Sequence, residues 1–209
     1  MNAPFEPAVV ALAAYGIPLT YLGAAALGKP TRPLATAGLA SAVSFALAAI
    51  VAAATAVGDL SGTHLGLRLD LVTAVMLTLV TFIGLVITRY SRTYLDGDPG
   101  RQRYTRWLMV TLSAVATLIS TAHIGLLAAA WTVTSLALHQ LLTFFRNRPA
   151  AQVAAHKKFL VSRLADLCLW TGIALLYGRV GSLWMGDVEA WIATLNSGGA
   201  SLPLLTVYL

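Results

Sequence analysis

The feature that most restricts this chain is a succession of apolar runs, each about as long as a bilayer is thick. Crossing ~30 Å of hydrocarbon takes about 20 apolar residues in a helix, and only a helix or a closed barrel satisfies its backbone hydrogen bonds in lipid. Such runs fall at about 8–27, 34–57, 69–88, 107–122, 124–145 and 158–178. A further run opens near Ala200 and reaches Leu209. The stretch 107–145 is too long for one span, and His123 with Gly125 marks a tight turn that divides it. The fold class expected is therefore all-α: a polytopic membrane protein of about six transmembrane helices plus the start of a seventh. Composition agrees, because 58% hydrophobic and 11% charged residues exclude disorder and argue against a soluble domain. The single cysteine, Cys168, has no partner for an internal disulfide and reads as a small apolar packing residue.

The connections carry the charge. Pro30 and Pro33 break the first, Asp59 to Arg68 form the second, and a long polar third runs from Arg89 to Arg106 with turn signals at 96–100. Asn147 and Pro149 break the chain after helix five. With the N-terminus outside, the inner connections hold Lys29, Arg32, Arg89, Arg92, Arg101, Arg103, Arg106, Arg146, Arg148, Lys157 and Lys158. The outer ones hold only Arg68 and Arg179. Basic residues accumulate on the cytoplasmic side of membrane proteins. The asymmetry predicts an N-terminus on the side of the membrane away from the cytoplasm, and it explains the net charge of +6 without nucleic acid as a partner. Lipid is the partner this composition calls for. No signal peptide is expected, since the leading segment carries Glu6 and no Lys or Arg. GxxxxGK[ST], CxxC, HExxH and GxSxG patterns are all absent, so the chain reads as neither an enzyme nor a metal or cofactor binder.

Ionisable residues inside an apolar span are costly, by roughly 2.5–3.5 kcal/mol each on insertion scales, and mark function or helix pairing. Helix six carries Arg163 and Asp166 on one face, with Ser162 beside them. At a rise of ~1.5 Å per residue, Asp166 lies ~12 Å beyond Lys158, near the midplane, while Lys157 and Lys158 snorkel to the interface. On helix five, His139 lies ~10 Å before Arg146, and Thr132 and Ser135 share its stripe. A short connection makes helices five and six antiparallel neighbours, so His139 and Asp166 are expected to meet at one level. Two readings follow. In one, Asp166, His139, Arg163 and Lys157 are members of a proton relay supported by Thr132, Ser135 and Ser162. In the other, Arg163 or His139 clamps Asp166 permanently between helices. Asp70, just after Arg68, reads as an interfacial anchor, and His123 as a structural turn residue.

A resemblance adds to these readings. The run Leu69 to Leu77, the Arg89-Tyr90-Ser91 triplet and the Tyr94-Leu95 pair, Trp131, and the spacing Lys157, Phe159, Val161, Arg163, Asp166 resemble the antiporter-like membrane subunits of respiratory complex I and of Mrp cation antiporters, the large subunit of L type. The likeness runs from about Leu69 to Leu183. In the respiratory subunits a glutamate central to proton transfer follows the helix-five tryptophan; here Trp131 is followed by Thr132. The segments 135–149, 156–159 and 162–166 are more similar to the DabB branch, membrane subunits of a bacterial inorganic-carbon pump. That resemblance implies a DabA-like partner related to zinc carbonic anhydrases, with the membrane subunit passing protons or other cations that drive CO2 hydration in the partner. It also implies that residues 1–209 form a single membrane domain, the N-terminal part of a longer subunit whose helix-seven lysine falls beyond Leu209. The alternatives are a proton-translocating complex I or Mrp-type subunit, and a non-conducting membrane scaffold.

Overall fold

The computed structural model describes residues 6–28, 33–58, 62–144 and 149–198. Helices α1 (Pro7–Leu27) and α2 (Pro33–Gly58) both open on a proline, which costs nothing at a first turn whose N–H groups have no helical partner. A hairpin of β1 (Gly62–His64) and β2 (Leu67–Leu69) then leads into α3 (Leu71–Tyr94). Helices α4 (Arg101–Ser120), α5 (Ile124–Leu142), α6 (Pro149–Val180) and α7 (Met185–Gly198) follow. Helices α1, α2, α3, α5 and α6 are long and apolar enough to cross a membrane. Helix α4 is not apolar enough, because Arg101, Arg103 and Arg106 occupy its first turns. It nevertheless lies antiparallel to α1 among the spans: Arg106 Nε donates to the Ala25 carbonyl at 3.3 Å, and Ser113 Oγ to the Pro18 carbonyl at 2.9 Å. The protein is a multi-pass helical membrane protein.

The core lies among α1 to α4, where Ile17, Tyr21, Leu77 and Met109 are fully buried. Small residues allow the close approach that membrane helices need. Helix α2 buries Ala37, Ser41, Ser44 and Ala48, and Ser41 bonds Thr88 at 3.1 Å while Thr20 bonds Ser44 at 2.5 Å. The Arg92 guanidinium lies directly over Gly38, and its Nε donates to the Leu34 carbonyl at 3.3 Å.

Several boundaries depart from the sequence reading. The second connection contains a hairpin whose two-residue turn holds Leu65 and Gly66 at φ of 51° and 80°, the left-handed pair that suits the strand twist. It closes one end of the bundle. Tyr15 Oη donates to the Leu65 carbonyl at 2.5 Å, Ala122 N–H to Gly66 at 3.0 Å, and Trp184 packs on Gly66. The third connection is shorter than expected, because Arg89 and Arg92 lie on α3 and Arg101, Arg103 and Arg106 on α4. Helix α6 begins at Pro149 rather than near 158, and α7 replaces an expected outer loop. His123 caps α5, accepting from Leu126 N–H at 3.2 Å. Cys168 is exposed on α6 instead of packed inside. Lys29, Arg32, Arg146, Arg148 and the helix expected from Ala200 lie outside the described residues.

Candidate functional site

Helix α6 packs on α5 and only weakly on α7, so the polar residues of its inner face have α5 as their main boundary. Asp166 is the buried charge here: it is 6% exposed on a helix whose Leu160, Leu164 and Leu167 are each at least 65% exposed. Arg163 reaches it within one turn, Nη2 to Oδ2 at 2.7 Å, with the arginine side chain 27% exposed. The guanidinium also lies 5.2 Å from the centre of the Phe159 ring. Among the described residues, neither carboxylate oxygen of Asp166 nor Nε of Arg163 makes a hydrogen bond. A buried carboxylate has about four acceptor positions, so the ion pair leaves most of that capacity unused.

The level of His139 is not the one expected. Its ring packs on Phe159 at 4.6 Å between centres and edge-on to His156 at 5.8 Å. Its Nδ1 is buried without a hydrogen bond among the described residues, and no bond joins it to Asp166. The register explains the difference. With His139 beside Phe159 in an antiparallel pair, Asp166, seven residues further along α6, stands level with Thr132, seven residues back on α5. His139 lies in the last turn of α5, near its end.

Four contacts order the seam from one end to the other. His156 meets His139. Lys158 Nζ then donates to Ser135, 3.4 Å from both its hydroxyl and its carbonyl oxygen. The Arg163–Asp166 pair follows. Beyond it Trp170 Nε1 donates to Thr132 Oγ1 at 3.4 Å. From residue 156 to residue 170 the seam rises ~21 Å along α6, a large part of the hydrocarbon thickness. Of the sequence candidates, Thr132, Ser135, His139, Arg163 and Asp166 lie on this seam. Ser162 is half-buried beside Arg163, and Lys157 is exposed. The lysine that enters the seam is Lys158, and His156 joins it from a stretch expected to precede the helix. A start at Pro149 puts residues 152, 156 and 159 on successive turns, and His156 Nδ1 lies 2.7 Å from the Gln152 carbonyl. Among the described residues no group of histidine, cysteine, aspartate and glutamate is placed to hold a metal ion.

Residues 55–105 match the family described as NADH-ubiquinone oxidoreductase (complex I), chain 5 N-terminus, and residues 121–208 match NADH:quinone oxidoreductase/Mrp antiporter, transmembrane. Together the two matches take in more than half of the chain. The chain belongs to the antiporter-like membrane subunits. Within that family it resembles DabB. A probable inorganic carbon transporter subunit DabB of Hydrogenovibrio crunogenus is 48% identical over 115 residues, 54% of this chain and 22% of the relative. The corresponding DabB2 of Halothiobacillus neapolitanus is 38% identical over 128 residues, 61% and 23%. The chloroplastic NAD(P)H-quinone oxidoreductase subunit 5 of Lemna minor is 29% identical over 145 residues, 69% and 20%. The chain thus spans about a fifth of the length of the curated relatives it matches. The fold is similar to that in the membrane-bound sulfane sulfur reductase, an archaeal respiratory membrane complex, with a TM-score of 0.71 over 86% of this chain and 39% of that one at 15% identity.

Proposed function

We propose that this chain is the N-terminal membrane part of an inorganic-carbon pump subunit, and that the α5–α6 seam carries protons, or another cation, toward a DabA-like carbonic-anhydrase-related partner. The observation that carries the reading is Asp166, a buried acidic side chain in a membrane helix that, among the described residues, meets Arg163 and makes no hydrogen bond. A permanent structural clamp gains most when both partners are fully bonded. A relay residue needs spare capacity, because the proton must arrive and leave along different bonds. Histidine titrates near neutrality and so is the group to load such a seam from water. His139 and His156 stand together at the end where Lys157 and Lys158 also gather. In this scheme Lys158 on Ser135 supplies positive charge between the histidines and Asp166, and Arg163 fixes the position of the Asp166 side chain.

The likeness to DabB favours an inorganic-carbon pump in a bacterial inner membrane, with the N-terminus periplasmic and the chain acting as a transport subunit while hydration chemistry occurs in the partner. The respiratory relatives keep a second reading open, a proton-translocating subunit of a quinone oxidoreductase or an Mrp-type antiporter. Thr132 in place of the respiratory glutamate weighs against it. The deciding experiment expresses the full-length subunit with its carbonic-anhydrase-like neighbour in cells lacking carbonic anhydrase. Bicarbonate accumulation that stops when a protonophore collapses the gradient is expected. Accumulation insensitive to protonophore and to cation ionophores alike makes the chain a scaffold, and quinone-dependent activity without carbon uptake makes it respiratory.

A further inference from the structure

At the end of the bundle where Arg89, Arg92, Arg101, Arg103 and Arg106 gather, α1 and α4 leave a cavity of about 540 Å³ between them. Its walls are of two kinds. Leu22 and Ala26 of α1 face Trp107 and Val110 of α4, and Arg103 and Arg106 stand at its rim. Both arginines are exposed, and among the described residues their bonds go to neutral acceptors. Arg103 Nη2 donates to Gln140 Oε1 at 2.7 Å, and Arg106 Nε to the Ala25 carbonyl at 3.3 Å. Among the described residues no carboxylate pairs with either one. Each guanidinium has five N–H donors, so most remain available. The cavity therefore carries two uncompensated positive charges over an apolar wall.

Polarity is also graded along the helices. Arg103 lies in the first turn of α4, and Val110 about two turns further in. Leu22 likewise lies about a turn inside Ala26 on the antiparallel α1. A free anion would use only the arginine end. We propose that this cavity binds an anionic phospholipid, its headgroup held by Arg103 and Arg106 and an acyl chain laid against Leu22, Trp107 and Val110. Arginine forks match phosphate oxygens in a way that a point charge does not, and basic pockets between membrane helices are suited to anionic headgroups. A zwitterionic headgroup offers the same phosphate but brings a choline cation against the two guanidinium groups.

The test is native mass spectrometry of the 209-residue chain released from detergent with equal amounts of phosphatidylglycerol and phosphatidylcholine. A preference for phosphatidylglycerol of about 10–30-fold is expected from two interfacial basic residues. The double variant Arg103→Gln/Arg106→Gln should reduce it to parity. Leu22→Trp fills the apolar end and leaves both arginines in place; Leu22 is already 47% exposed, so this variant keeps the core intact. It should also lose the bound lipid, and it decides the matter if the double variant does not fold. Equal binding of the two lipids by the unaltered chain, an undiminished preference in Leu22→Trp, or displacement of the lipid by equimolar inorganic phosphate overturns the proposal.

Discussion

At the residue scale the Arg163–Asp166 pair bears on stability and, in the proposed relay, on proton transfer. Removing one partner of a buried pair strands the other and costs about 3–5 kcal/mol, and partial exposure of Arg163 puts this pair at the lower end. Asp166→Asn alone should lower the melting temperature in detergent. Arg163→Gln with Asp166→Asn should recover part of the loss, with a coupling of about 1–3 kcal/mol; strictly additive effects would mean that the two groups do not interact. His139 gives a sharper distinction. His139→Gln keeps a hydrogen-bonding side chain on Phe159 but cannot exchange a proton near neutrality. Carbon uptake by the complete pump should fall severely in this variant and only mildly in Thr132→Ala, and full uptake with glutamine would make the histidine a packing group. Spacing alone points to Thr132, Ser135, His139, Arg163 and Asp166 on this interface and misses His156, Lys158 and Trp170. It does not reveal their levels. Depth counted from Arg146 and Lys158 treats both as marking one plane, whereas the packing of His139 on Phe159 sets the register and brings Asp166 level with Thr132. Lys157 and Lys158 are equally plausible as sequence neighbours, and only the rotation of α6 turns Lys158 toward Ser135.

At the element scale the junction of β2 with α3 has its own pH signature. Asp70 caps α3 by accepting from Thr73 N–H at 2.6 Å and pairs with Arg68 Nε at 3.0 Å. The Thr73 N–H, aided by its side chain and by Arg68, outweighs partial desolvation and holds the Asp70 carboxyl below its ordinary value. A carboxyl lowered in the folded state contributes stability above its unfolded value, and that contribution is lost as pH falls through the folded value. The contribution should therefore be constant near neutrality and fade below about pH 4. Asp70→Ala should cost about 1 kcal/mol at neutral pH, and Asp70→Asn, which keeps the cap, less. Thermal unfolding against pH would show the difference between Asp70→Ala and the unaltered chain closing in acid; a constant gap would exclude the ionised cap. Elements of this kind were only partly legible. Five of the six apolar runs fall on helices long and apolar enough to span, because lipid tolerates so few alternatives, and the run 107–122 falls on α4, which is not apolar enough. The three-residue strands carry too little alternation to be read, α7 is too short and mixed to stand out, and the alanine-rich start of α6 lies before the apolar pattern begins.

At the scale of the whole molecule, the basic ends of α3 and α4 and the basic start of α6 share one end of the bundle, while the hairpin and the head of α7 close the other. In a background with Cys168→Ser, an impermeant thiol reagent applied to intact spheroplasts should label Thr63→Cys in the hairpin and leave Asp96→Cys unlabelled until the membrane is opened; the reverse pattern would invert the orientation. In the proposed function, conduction along the α5–α6 seam passes through Asp166. It is tested most directly by inorganic-carbon uptake in cells carrying the full-length subunit with Asp166→Asn in the complete complex, with membrane abundance measured alongside. On this account uptake per membrane-inserted subunit should be abolished, beyond any fall in abundance from the lost ion pair. Uptake at the unaltered level would contradict it and leave the buried ion pair as a structural clamp.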